Sequence, residues 1–147
     1  MTGILRFSEA ANLALHACAV LASMDQAAPV SHDRIASALG VSPSHLGKVM
    51  QKLVRAGILD SVRGALGGFS LSADPSSLTL LQILESVDGP VAGSGCLLGK
   101  RVCSGGRCPL STLSDKVSGI VTDGLGKLTL EAFVARQLPR KRRRKGG

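Results

Sequence analysis

Three cysteines, Cys96, Cys103 and Cys108, fall within thirteen residues, CLLGKRVCSGGRC. Their neighbours are small, polar or basic, so no apolar period places them in a core. Four uses of such thiols can be weighed: packing, zinc, a thiol–disulfide switch and an iron–sulfur cluster. Packing fits poorly because Gly, Ser, Arg and Lys interleave the three. Structural zinc favours close Cys pairs and four Cys or His ligands, whereas the gaps here are six and four residues with no His nearby. A thiol switch is compatible, since Lys100, Arg101 and Arg107 would favour thiolates. An iron–sulfur cluster fits best: thiolates are its ligands, a Gly-rich backbone can wrap it, and the cations offset its charge. The thiol switch and zinc stay open. Four cysteines in all, in a reducing compartment, favour metal or redox chemistry over structural disulfides.

The 147 residues suffice for one domain with a real core. Aromatics are only 2% and Trp and Tyr are absent, so that core must be aliphatic. Residues 13–22 form an apolar run too short to span a bilayer. Glu9 and Asn12 precede it and no cleavage site follows. The expectation is a cytoplasmic protein with no membrane partner. The formal charge is +8, and the run RKRRRK at 140–145 supplies six of those charges, leaving +2 elsewhere. Such a block is usually disordered and can add sequence-independent attraction to phosphates, or act only as a solubilising tail.

The elements that must position the cysteines are legible from caps and periodicity. Ser8 caps a first helix reaching about Met24, apolar on nearly every side, which implies a central or subunit-spanning place. Ser31 caps a short helix carrying Ile35 and Leu39, and Gly40 stops it. Ser42, with Pro43 in the first turn, caps the next. There Leu46, Val49, Met50 and Leu53 recur at helical spacing, and Gly57 ends the helix. Two short helices joined by LGVSPS predict a helix-turn-helix. ILDSV and FSLS flank RGALGG, whose Gly64, Gly67 and Gly68 permit positive φ; this hairpin is read as a wing with Arg63 at its base. Thr79 caps a further helix that Gly89-Pro90 ends. After the cysteines, Leu113, Val117, Ile120, Val121, Leu125 and Leu128 are expected on one stripe of a long helix. Gly119, Gly124 and Gly126 weaken that helix alone, so it is read as a dimerisation helix. Thr129 caps a last short one. The expected fold is mostly α with a small β-hairpin wing. The expected parts are a winged helix-turn-helix at 1–89, a cysteine loop at 90–109, a dimerisation region at 110–136 and a basic disordered tail at 137–147.

With Leu46, Val49, Met50 and Leu53 inward, the second short helix turns Ser44, His45, Gly47, Lys48, Gln51, Lys52 and Arg55 outward. Lys and Gln can read base edges in a major groove, and Lys or Arg can hold phosphates. A basic wing reaches the neighbouring groove or backbone. The stretch from IASALGVSPSHLGKVMQKLVRAGILDSVRGALGGFSL to LESVDGP resembles the Rrf-two family of winged-helix transcriptional regulators, over roughly residues 4–135. LRFSEAANLALHACAVLA is similar to that family's first helix, and SVRGALGGFSL to its wing.

The resemblance implies a homodimer that binds double-stranded DNA at a palindromic operator, expected as a repressor. It places Ser42, Ser44, His45, Lys48, Gln51 and Arg63 near DNA. Gly47 stands where one cluster-holding member has an acidic residue that discriminates between operators, so operator sequence does not carry over. Many members hold a [2Fe–2S] or [4Fe–4S] cluster on three cysteines of this loop, which implies Cys96, Cys103 and Cys108 as ligands and a response to redox, nitric oxide or iron status. The spacing here departs from the commonest five-and-five gaps. For a fourth ligand, Pro109, Leu110 and Ser111 exclude a His just after Cys108. Asn12 stands where one relative has Asp, and His16, one turn later, matches a ligand position used elsewhere. An open iron site is the other option, and Cys18 is expected buried and inert. The alternatives are a cluster-free thiol-sensing regulator and an electron-transfer iron–sulfur protein. No nucleophile–base pattern, phosphate loop or carboxylate pair suggests an enzyme.

Overall fold

The computed structural model describes residues 6–24, 27–91, 96, 106 and 108–137. Cys103, the cations Lys100, Arg101 and Arg107, and the basic run at 140–145 lie outside them. Among these described residues, six helices and one hairpin follow in the order α1 (Glu9–Ser23), α2 (His32–Leu39), α3 (Pro43–Arg55), β1 (Leu59–Val62), β2 (Gly68–Leu71), α4 (Leu80–Asp88), α5 (Pro109–Lys127) and α6 (Leu130–Gln137).

The starts of α1 to α4 are each fixed by a side chain that satisfies an orphan amide. Ser8 accepts from Ala11 N, Ser31 from Arg34 N and Ser42 from His45 N. Thr79 and Gln82 form a reciprocal capping box on α4. Gly40 closes α2 in the left-handed conformation at φ 66°. Helix α1 is buried through Ala11, Leu13, Ala14, Leu15, Ala17, Cys18, Ala19 and Leu21. It packs against α2, α3, α4, α6 and β2, the central place its all-round apolarity requires. Leu46, Val49, Met50 and Leu53 seat α3 in the same core, which also takes Ile35, Leu59, Ile83 and Leu130.

The wing is antiparallel, with Leu59 opposite Leu71 and Val62 opposite Gly68. Val30, just before α2, pairs with Phe69 through two backbone hydrogen bonds of 2.9 and 2.8 Å, giving the hairpin a third neighbour. Three expectations need correction here. Arg63 follows the last residue of β1, so it opens the turn at the tip of the wing and is not at its base; the base is the Leu59–Leu71 end. Gly64 and Gly68 have positive φ but Gly67 does not; its requirement is room, since an added Cβ would lie 2.2 Å from the Val62 carbonyl oxygen. The expected apolar stripe of α5 also divides. Val117, Val121 and Leu125 are half-buried, Leu113 and Ile120 are 58% and 74% exposed, and Leu128 is the residue after the helix. At about 100° per residue, Leu113 and Ile120 sit about 80–100° round the helix from Val121.

Helix α6 returns to α1. Leu80 N donates to Leu128 O at 2.9 Å and Leu130 N to Leu78 O at 2.8 Å, joining the α5–α6 corner to the start of α4.

Gly68 tests how tightly the wing is joined to the body. A Cβ there would meet the Val30 carbonyl oxygen at 2.2 Å, a backbone group that cannot rotate away. Gly68→Ala is expected to cost about 2–3 kcal/mol, the scale of overpacking in a close contact. The check is a urea unfolding curve with a lowered midpoint and unchanged slope.

Candidate nucleic-acid interface and cysteine segment

The burial of Leu46, Val49, Met50 and Leu53 determines what α3 shows to solvent. Ser44, Lys48, Gln51 and Arg55 recur at i, i+4, i+7 and i+11 opposite the core face, and all four are exposed. His45 and Lys52, seven residues apart, lie on the flank of that stripe. The structure ties both to the body of the protein. His45 Nε2 is 3.4 Å from Glu9 Oε1 on α1. Lys52 Nζ donates to the carbonyl of Val87, at the end of α4, at 3.0 Å. Ser42 is exposed, but its hydroxyl caps α3 and lies 3.4 Å from that of Ser44. The residues predicted to approach DNA therefore divide into an outward stripe, a flank bonded to the body, and a cap.

Arg63 lies across a cleft of 680 Å³ from the C-terminal half of α3, with Gln51, Arg55 and Arg63 on its walls. The start of α2 adds His32, which sequence reasoning missed. Its ring lies 6.1 Å from Phe69, and Nε2 is buried without a hydrogen-bond partner among the described residues. Only its place directly after the cap Ser31 signals it, and that place says nothing of the cleft. A Cβ added at Gly47 would meet His32 Nε2 at 3.8 Å, ordinary van der Waals contact, so packing does not demand glycine there. Leu66 at the wing tip is 93% exposed.

Cys96 and Cys108 are partly exposed. Cys108 is the residue before α5, with Pro109 in the first turn. Its carbonyl accepts from Ser111 Oγ, Thr112 Oγ1 and Thr112 N at 2.9, 3.2 and 3.1 Å, which fixes its backbone at the helix entry. That helix end favours an anionic group. His16 is exposed on α1 and packs edge-on to Phe133, ring centroids 6.2 Å apart. Its Nδ1 is 2.7 Å from the carbonyl oxygen of Asn12, which can only accept; the proton is then on Nδ1, and the lone pair on Nε2. Metal-binding histidines are usually held this way. Thiols and this imidazole suit iron, yet no three His, Cys, Asp or Glu converge among the described residues. Cys18 is wholly buried on α1 and its thiol is pushed up to about 12 by burial.

Residues 7–136 match the model of a family described as "Rrf2: Iron-dependent Transcriptional regulator". The chain is 38% identical over 106 residues to the "HTH-type transcriptional regulator IscR" of Vibrio vulnificus, covering 71% of this chain and 62% of that one. Over 134 residues it is 31% identical to the IscR of Xenorhabdus nematophila, covering 90% and 81%. Among solved structures it is similar to CymR, "the Global Cysteine Regulator of B. subtilis", with a TM-score of 0.78, 24% identity and 92% and 100% coverage. "T. potens IscR" superposes with a TM-score of 0.72 at 24% identity, covering 89% and 87%. These two likenesses establish the winged-helix fold.

A neutral buried thiol is a poor nucleophile. In iron-free protein at pH 8, iodoacetamide is expected to label Cys108 and to spare Cys18 until denaturant is added. Mass spectrometry of the digested chain reads this directly; labelling of native Cys18 at the rate of Cys108 would contradict its burial.

Proposed function

The chain belongs to the Rrf2 family of transcriptional regulators, and from that premise we propose that it is a homodimeric repressor of a palindromic operator, controlled by an iron–sulfur cluster. The family is one of DNA-binding regulators and not of enzymes. The observation that carries the DNA-binding part is the outward stripe of α3, Ser44, Lys48, Gln51 and Arg55, with Arg63 across the cleft. Lys48 and Gln51 read base edges, Ser44 and Arg55 hold the backbone, and Arg63 reaches the adjacent groove. The exposed Leu110, Leu113 and Ile120 of α5 are the apolar face on which a second copy packs. Two-fold symmetry then sets half-sites about 10 bp apart.

Cys96, Cys103 and Cys108 would hold the cluster, with His16 Nε2 as fourth ligand. When bound, the cluster supplies iron chemistry sensitive to redox, nitric oxide or iron status. The chain's own part is to let the state of the cysteine segment bias a pre-existing equilibrium between dimers that place the two α3 helices correctly and dimers that do not. A second reading is the same regulator without iron, in which the thiols themselves are oxidised; the partial exposure of Cys96 and Cys108 favours it. The protein is expected in the cytoplasm; no described helix is long and apolar enough to cross a membrane.

Two measurements test this. The chain lacks Trp and Tyr, so strong absorption in the near ultraviolet or visible can come only from a cofactor. Anaerobic protein is expected to be brown and to bleach with nitric oxide or oxygen, and Cys103→Ala to be colourless but folded. Colourless wild-type protein that still binds a palindrome, and forms a disulfide with mild peroxide, would move the control to the thiols. Selection from a random duplex pool is expected to recover a palindrome. Arg55→Ala or Arg63→Ala is expected to weaken binding and reduce the slope of log affinity against log salt by about 1. Absence of any salt-dependent duplex binding would overturn the regulator's mode of action.

A further inference from the structure

Lys52 looks from sequence like one more cation for DNA, and the structure gives it other work. Its Nζ donates to the Val87 carbonyl at 3.0 Å. Val87 is the penultimate residue of α4, so its carbonyl is one of the helix's last four, which lack intrahelical partners. The last turn of α4 carries Glu85 and Asp88 and no basic residue, although a helix C-terminus favours a cation. Lys52 brings that cation from α3. The same helix end is gripped from another side: Ser8 Oγ and Ser8 N both donate to the Asp88 carboxylate. Beyond it, Gly89 turns the chain at φ 83° and Val91 N donates to Glu85 Oε1 at 3.0 Å, at the start of the segment that leads to Cys96.

We propose that Lys52 is a positioning residue: it sets the seat of α3 against the end of α4, and so the aim of Ser44, Lys48, Gln51 and Arg55, without itself contacting DNA. This deepens the operator-binding reading and rests on it. The ammonium so placed offsets the partial negative charge of the helix end.

A phosphate contact and a positioning residue differ in salt dependence. Loss of a phosphate contact lowers the salt slope by about 1, whereas loss of a positioning residue lowers affinity at constant slope. The experiment is fluorescence anisotropy of the full chain on the selected palindrome, across a salt series, for wild type, Lys52→Met, Lys52→Gln, Lys52→Arg and Arg55→Ala. Circular dichroism confirms folding of each, and Lys52→Gln serves if Lys52→Met does not fold. Lys52→Met is expected to bind about tenfold more weakly, the scale of one charge-assisted hydrogen bond, with an unchanged slope. Lys52→Arg restores most of the loss, and Arg55→Ala shows the reduced slope. A slope reduced for Lys52→Met as for Arg55→Ala makes Lys52 a phosphate contact and overturns the proposal. Unchanged affinity overturns it also. Failure of the wild-type chain to bind any duplex defeats the operator reading, and this inference with it.

Discussion

A helix with apolar side chains on nearly every side must bury most of its surface, and α1 imposes that constraint on its neighbours. Helices α2, α3, α4 and α6 and strand β2 all pack against it. Small residues let them come close: Ala11, Ala14 and Ala17 are wholly buried. In an almost aromatic-free chain this close approach replaces the large rings that usually fill a core. Everything placed for function hangs from that contact. Helix α3 seats Leu46, Val49, Met50 and Leu53 in the same core, so its opposite face has no choice but to show Ser44, Lys48, Gln51 and Arg55. The wing, joined to Val30 through Phe69, holds Arg63 on the far side of one cleft from them.

What sequence made legible follows from how local each signal is. Caps are local: Ser8, Ser31, Ser42 and Thr79 each sit before an apolar period and each proves to be the cap of its helix. The core face of α3 is local too, because four apolar residues at helical spacing define one direction. Periodicity could not tell which polar residues of α3 stand free, since His45 and Lys52 are as hydrophilic as Lys48. What separates them is contact with Glu9, 36 positions earlier, and Val87, 35 positions later, and no spacing rule reports that. The α5 stripe divides for a related reason. Leu113 and Ile120 have the apolarity of core residues, yet the neighbour that half-covers Val117, Val121 and Leu125 lies round the helix from them. The cysteine chemistry was legible only as a choice of ligand type, for thiols define what they bind by where they meet.

The two kinds of contact that hold α3 differ in strength, and that difference bears on control. Each fully buried aliphatic side chain contributes roughly 1.5–3 kcal/mol, so the apolar face of α3 stays seated in any folded state. Exposed contacts such as that of His45 with Glu9 are worth about 0–1 kcal/mol even when both groups are charged. A small rotation of α3 about its seated face would break only the polar ties, which together hold it less strongly than that face does, and would re-aim the outward stripe. Those ties converge where the N-terminus of α1 meets the C-terminus of α4, through Ser8, Glu9, Val87 and Asp88. In sequence, Cys96 follows eight residues after Asp88. Under the proposed control by the cysteine segment, a change there would act on these polar ties, and the proposed shift between dimers would need no repacking of the core.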